Sequence, residues 1–195
     1  MAITYSTWNP SDKNANINLS WWNLVATCNG TASFNGVRST VSQSSGKHYW
    51  EYTITTWVSG VSVLSVGIGN SSANLSNYVG VDPNWWWWYN DWTTSSIRNN
   101  SVNLNSPTAF AQGDIIWIAL DLTASTVAFY KNNTLMYTTA ATVSGTILAM
   151  VSCYNLSSVT ANFWASTMAY TAPSGFKQWL YTWTPDIVSS FLAFI

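Results

Sequence analysis

Charge is what this sequence has least of. Asp, Glu, Lys and Arg make up 7% of its 195 residues, against roughly 25% in an average soluble protein. Six basic and seven acidic side chains leave a net charge of −1. No face can neutralise a row of phosphates, which excludes a nucleic-acid groove and, on the same ground, a polybasic membrane anchor. One His and two Cys supply neither a metal-ligand cluster nor a familiar nucleophile pair, so no metal or cofactor is expected. Cys28 and Cys153 lie far apart in the chain; they pair if the fold juxtaposes them, but two buried free thiols are the favoured reading. The sequence has no run of about 18 apolar residues to insert across a membrane. Its start lacks the basic-then-apolar order of a secretory signal.

What the chain does have is apolar and aromatic surface. Hydrophobic residues make up 48%, and 14 Trp, 10 Tyr and 7 Phe bring the aromatic share to 16%. A chain this aromatic buries enough area to offset the entropy of ordering it. Helical periodicity is nearly absent. Short β-rich runs alternate with Gly, Asn, Ser and Pro clusters, which predicts an all-β sandwich or barrel. The clearest strand covers 48–55, where Trp50, Tyr52 and Ile54 fall on one face, taken as core, and Tyr49, Glu51 and Thr53 on the other, taken as outward. Further strands are predicted at 24–27, 37–41, 63–68, 115–122, 126–130, 135–138, 147–152 and 159–163. Asn132-Asn133 predicts a tight hairpin, because Asn tolerates the positive φ of a type I′ turn. A single domain is expected over 1–180. Residues 181–195 form an apolar tail, with Asp186 its one charge, expected to dock on its own domain or on a partner because it would be poorly soluble in water.

Several of these strands carry motifs in a familiar order. Gly46-Lys47-His48-Tyr49-Trp50-Glu51 resembles the "GKxYWE" strand of SPRY domains, and Val66-Gly67-Ile68-Gly69 and Tyr78-Val79-Gly80 resemble the segments that come after it. Gly113-Asp114-Ile115-Ile116 with Leu120-Asp121-Leu122 is similar to "GDxIGxxLD", and Phe129-Tyr130-Lys131-Asn132 to "FYKNG". Ala161-Asn162-Phe163 is similar to "xNFG", and residues 170–176 to "YxPPxGF". Three positions depart: Asn133 and Trp164 stand where the motifs have Gly, and Ala172 where they have Pro. The resemblance implies a bent antiparallel β-sandwich of the concanavalin-like jelly-roll kind, working without catalytic residues as a binding module through loops at one end. The segment Trp8-Asn9-Pro10-Ser11-Asp12-Lys13 and the Asn/Ser/Thr-rich remainder resemble stand-alone phage and bacterial versions. This implies a virion component in a tail, fibre or capsid decoration, contacting other virion proteins, further copies of itself or host glycans.

The most unusual segment is Trp85-Trp86-Trp87-Trp88-Tyr89-Asn90-Asp91-Trp92. In an extended strand Trp85 and Trp87 point one way and Trp86 and Trp88 the other, while a sandwich strand has one core face. Either a loop or the tail covers the second pair, or it is a contact platform. Trp85, Trp86, Trp87, Trp88, Tyr89 and Trp92, with Trp57 at a strand end, are therefore the candidate binding residues. Trp21-Trp22 is read as the start of a core strand. Trp117 lies opposite Ile116 and Ile118, so either that strand is covered on both faces or Trp117 is part-exposed. The alternative function is a glycoside hydrolase with Asp82 and Asp91 as its carboxylate pair beside the Trp platform. Against it, Asp82-Pro83-Asn84 and Asn90-Asp91 both read as turns.

Overall fold

The computed structural model describes residues 5–30, 33–76, 83–142 and 145–178. The Tyr78-Val79-Gly80 motif and the apolar tail at 181–195 lie outside the described residues. The strands are β1 (Trp8–Lys13), β2 (Ile17–Ser20), β3 (Val25–Cys28), β4 (Asn35–Gln43), β5 (Lys47–Trp57), β6 (Val63–Gly69), β7 (Trp85–Asn90) and β8 (Ser95–Asn99). They continue with β9 (Val102–Asn105), β10 (Ile115–Asp121), β11 (Thr126–Lys131), β12 (Thr134–Ala140), β13 (Ile147–Tyr154), β14 (Ser157–Asn162) and β15 (Lys177–Gln178). No helix occurs among the described residues. One sheet runs β1-β4-β13-β6-β7-β8-β9 and the facing sheet β12-β11-β10-β5-β14-β3-β2, with β15 added beside β5. Among the described strands every pairing is antiparallel except β15 with β5. Each strand predicted from the sequence is present. β1, β2, β7, β8, β9 and β15 are additional: β7 is the Trp run, whose apolar residues are unbroken, and the others are short, mostly polar sequences that carry little periodicity.

The core lies between the sheets, where Trp50, Tyr52 and Ile54 of β5 meet Leu64, Val66 and Ile68 of β6, all fully buried. Trp8 is buried with them. Its ring stacks on Tyr52 and meets Phe163 edge-on, and its indole N–H donates to the Leu24 carbonyl at 3.0 Å. The β11–β12 hairpin turns on Asn132 and Asn133 at φ 47° and 67°, as the Asn pair predicts.

Three expectations change in the fold. Cys28 and Cys153 are not free thiols. They form a disulfide, because β3 and β13 bring their Cα atoms to 6.1 Å across the sandwich. The face of β5 taken as outward is covered as well: Tyr49 and Glu51 are buried. Met168, Tyr170, Ala172 and Phe176 cross over it and pack on Tyr49, Trp117, Ala119 and Ala128. Glu51 tethers this strap, accepting hydrogen bonds from the amides of Ala169 (2.8 Å) and Tyr170 (2.9 Å) and from the Tyr49 hydroxyl. The same strap settles Trp117, which is buried on a strand covered on both faces and stacks on Tyr130 at 3.4 Å. Finally, Trp21-Trp22 does not start a core strand. It forms the turn between β2 and β3 and stands in solvent.

Candidate functional site

The Trp run lies in β7 with the predicted alternation. Trp86 and Trp88 enter the main core, where Trp88 meets Phe110 edge-on and donates its indole N–H to Ser95 Oγ at 2.8 Å. Trp85, Trp87 and Tyr89 face the other way but are covered too, by Phe34, Ala73, Leu75, Leu148 and Met150. A platform would stand in solvent; instead Trp85, Trp86, Trp87, Trp88 and Tyr89 are at most 6% exposed. As a contact platform this segment is corrected: a loop seals the second face, and the four rings are structural. Glycine makes room for them. Gly67 lies opposite Trp87 in the ladder, and a methyl group there would sit 2.6 Å from the Trp87 Cα and closer still to the Trp86 carbonyl oxygen.

The two remaining candidates differ from each other. Trp57 ends β5, half-buried against Phe110. Trp92 stands 53% exposed at the tip of the β7–β8 turn. Asp91 builds that turn. Its carboxylate accepts from the amides of Thr93 and Thr94, both at 2.6 Å, and from the Tyr89 hydroxyl at 2.7 Å. Burial alone would raise its pKa, but these hydrogen bonds outweigh it and hold the group below the ordinary carboxylate range. Asp91 is thus a turn cap held ionised, which does not suit a general acid. Asp82, its proposed partner, falls outside the described residues.

A large concave surface lies on the outer face of the second sheet. It is a groove of about 690 Å³ floored by Thr53 and Thr55 of β5 and Thr160 of β14, with Trp21 and Trp22 on one wall and Ala165, Ser166, Thr167 and Ala169 on the other. Glu51, Thr53 and Thr55 alternate along β5, so the groove runs with that strand. Its floor is of threonines, and Glu51 is the one charged residue that lines it. Thr55 and Thr160 hydrogen-bond each other at 2.6 Å, and the oxygens of Glu51 are engaged by the strap.

The wall is costly to build. Trp21, Trp22 and Asn23 take φ values of 50°, 54° and 62° in succession. Left-handed backbone costs a non-glycine residue about 1–2 kcal/mol. Asn is at home there and Trp is not. Exposing the two rings, at 73% and 85%, also forfeits several kcal/mol of apolar burial at about 25 cal/mol per Å². The turn is held from below: the Asn23 carbonyl accepts from the Trp8 amide at 2.8 Å, and the Leu24 carbonyl from the Ala161 amide at 2.9 Å. The run of three positive φ values could not be read from a Trp-Trp pair, which by composition looks like core.

The family model for the SPRY domain matches residues 47–166, more than half of the chain. The chain belongs to the SPRY family. The chain is 32% identical over 111 residues to the SPRY domain-containing SOCS box protein 3 of Xenopus tropicalis, and equally so to that of Xenopus laevis. The match covers 53% of this chain and 29% of each frog protein, so the chain spans only a fraction of those relatives' length. Among solved structures it is similar to the SPRY domain of human HERC1, with a TM-score of 0.68 at 18% identity, over 79% of this chain and 96% of that one. The TRIM65 PSpry domain superposes with a TM-score of 0.65 at 16% identity, over 81% and 89%. SPRY domains are protein–protein interaction modules. The motif positions do structural work in this chain: the Glu of "GKxYWE" anchors the strap, and Asp121 caps the β10–β11 turn through the amides of Thr123 and Ala124. Asn133 and Trp164, in place of the motif glycines, keep positive φ at 67° and 83°.

Proposed function

We propose that this SPRY domain is a non-enzymatic binding module that grips an uncharged, extended segment of a protein partner in the groove along β5, with Trp21 and Trp22 as its anchors. The carrying observation is the Trp21-Trp22 turn, where strained backbone holds two large apolar rings in water beside a concave surface. Strain of that kind persists only where surrounding structure enforces it, and it concentrates at ligand clamps. Exposed indoles are the commonest anchors of protein contacts, and a neutral floor favours a partner without charge to desolvate. A photo-crosslinking residue placed at position 22 is expected to capture a defined partner from the native source that the same residue at exposed Val102 does not. Equal capture at both positions, or capture at neither, would overturn the reading. A glycan array separates the remaining class, and is expected to stay dark.

The virion setting extends this proposal. The disulfide suits a protein that works outside a reducing cytosol, as a particle component does, and the low surface charge suits packing against neighbouring subunits. Mass spectrometry of purified particles tests it: the chain should co-purify in fixed ratio to the other virion proteins, and its absence would remove this extension.

A further inference from the structure

The groove offers hydrogen-bond donors and has few acceptors left to offer. Its floor strands lie inside the sheet: β5 is paired with β10 and β14, and β14 with β5 and β3. Those ladders take up the backbone N–H and C=O groups of the floor, so a partner has no open strand edge to pair with there. The Thr55 and Thr160 hydroxyls bond each other. The Glu51 carboxylate accepts from Ala169, Tyr170 and Tyr49. Asn162 builds the second wall, its Oδ1 accepting from the Trp164 amide at 3.0 Å and its Nδ2 donating to the Thr167 carbonyl at 3.2 Å. On the first wall the Ser20 and Trp21 carbonyls both accept from the Leu24 amide.

Two strong donors remain. The indole N–H groups of Trp21 and Trp22 have no partner among the described residues, and their rings stand beside an apolar lining of Leu24, Val25, Ile115 and Ala161. A segment laid here needs carbonyls for the indoles and apolar bulk for the walls, while its own amides would find little to bond. A buried N–H without an acceptor is penalised. Proline meets each condition. It has no N–H, its ring is apolar, and in the polyproline II helix its carbonyls make no internal hydrogen bonds. From Glu51 to Thr55 the groove runs about 13 Å along β5, room for about four residues of such a helix, which is more than one turn.

We infer that the groove takes a proline-rich segment in the polyproline II conformation, its carbonyls accepting from the Trp21 and Trp22 indoles. This rests on the groove being the docking surface and names the chemistry of what it grips. NMR titration of the isotope-labelled full chain tests it, with Trp21→Phe and Trp22→Phe each identifying one indole signal by deleting it. On adding oligoproline, these two signals should shift and saturate with a Kd of about 1 mM or tighter. An uncharged Thr/Val peptide of equal length, which keeps its amides, should bind about 10-fold more weakly. Trp22→Phe retains a ring and the same backbone but loses one donor. It should weaken oligoproline binding about 5-fold, the worth of one net hydrogen bond, with the melting transition unchanged. No shift with oligoproline, equal binding of the Thr/Val peptide, or affinity undiminished in Trp21→Phe/Trp22→Phe would each overturn the inference. So would movement of the same signals on raising protein concentration alone, since a second copy would then be the occupant. The crosslinking result at position 22 reads separately. Capture of a partner by a chain whose indole signals ignore oligoproline removes the proline chemistry and keeps the groove as the docking surface. Saturating shifts without capture keep the proline chemistry and remove the native protein partner.

Discussion

Single residues carry opposite demands in this protein. At Trp21 and Trp22 the rings stand in water and the backbone opposes folding. Trp22→Gly is expected to raise stability by about 1 kcal/mol, because glycine adopts positive φ freely and the exposed ring loses little packing. The same change should weaken partner capture. Urea denaturation would show the gain, and a lower unfolding midpoint would contradict the strain argument. His48, the chain's only His, behaves differently. Burial lowers its pKa, partly offset by the hydrogen bond with the Ser45 carbonyl and reinforced by Lys177. The unfolded chain, with a His pKa of about 6.5, then binds a proton that the folded protein resists. Stability should be full above that value and fall as pH drops toward the folded pKa. Melting temperatures between pH 7.5 and 5 should show this slope, and His48→Gln should flatten it; an unchanged slope would place the titration elsewhere.

At the scale of elements, β6 and β7 show how a run of four indoles becomes an ordinary strand. Alternation sends Trp86 and Trp88 inward, and the loop bearing Ala73 and Leu75 closes over Trp85 and Trp87. The close approach at Gly67 makes this pairing possible. Gly67→Ala should therefore cost more than about 3 kcal/mol, because the obstacle is partner-strand backbone and not a side chain that can swing away. Chemical denaturation is the check, and a loss below about 1 kcal/mol would show that the two strands can separate without the expected penalty. The alternation itself was legible in the sequence; the cover was not, since Phe34 and Met150 come from far along the chain.

Across the whole molecule, the Cys28–Cys153 bond joins the two sheets over a separation of 125 residues. Closing so long a loop removes much freedom from the unfolded chain, and the chain-entropy treatment gives about 5 kcal/mol as its contribution. Reduced protein, or Cys28→Ala/Cys153→Ala, should unfold at clearly lower denaturant. Coincident curves with and without reductant would show that the bond adds nothing.

The sandwich, the inward face of β5, the Asn132-Asn133 hairpin and the family motifs could all be read from the chain alone, because they depend on period-two patterning and on residues adjacent in sequence. Which indoles meet water could not. Exposure depends on what crosses each sheet face: a loop near residue 73 over β7, a strap at 168–176 over β5 and β10, and nothing among the described residues over Trp21 and Trp22. Pairing of the two cysteines is of the same kind. Contacts between segments a hundred residues apart leave no local pattern, so the tertiary fold alone decided them.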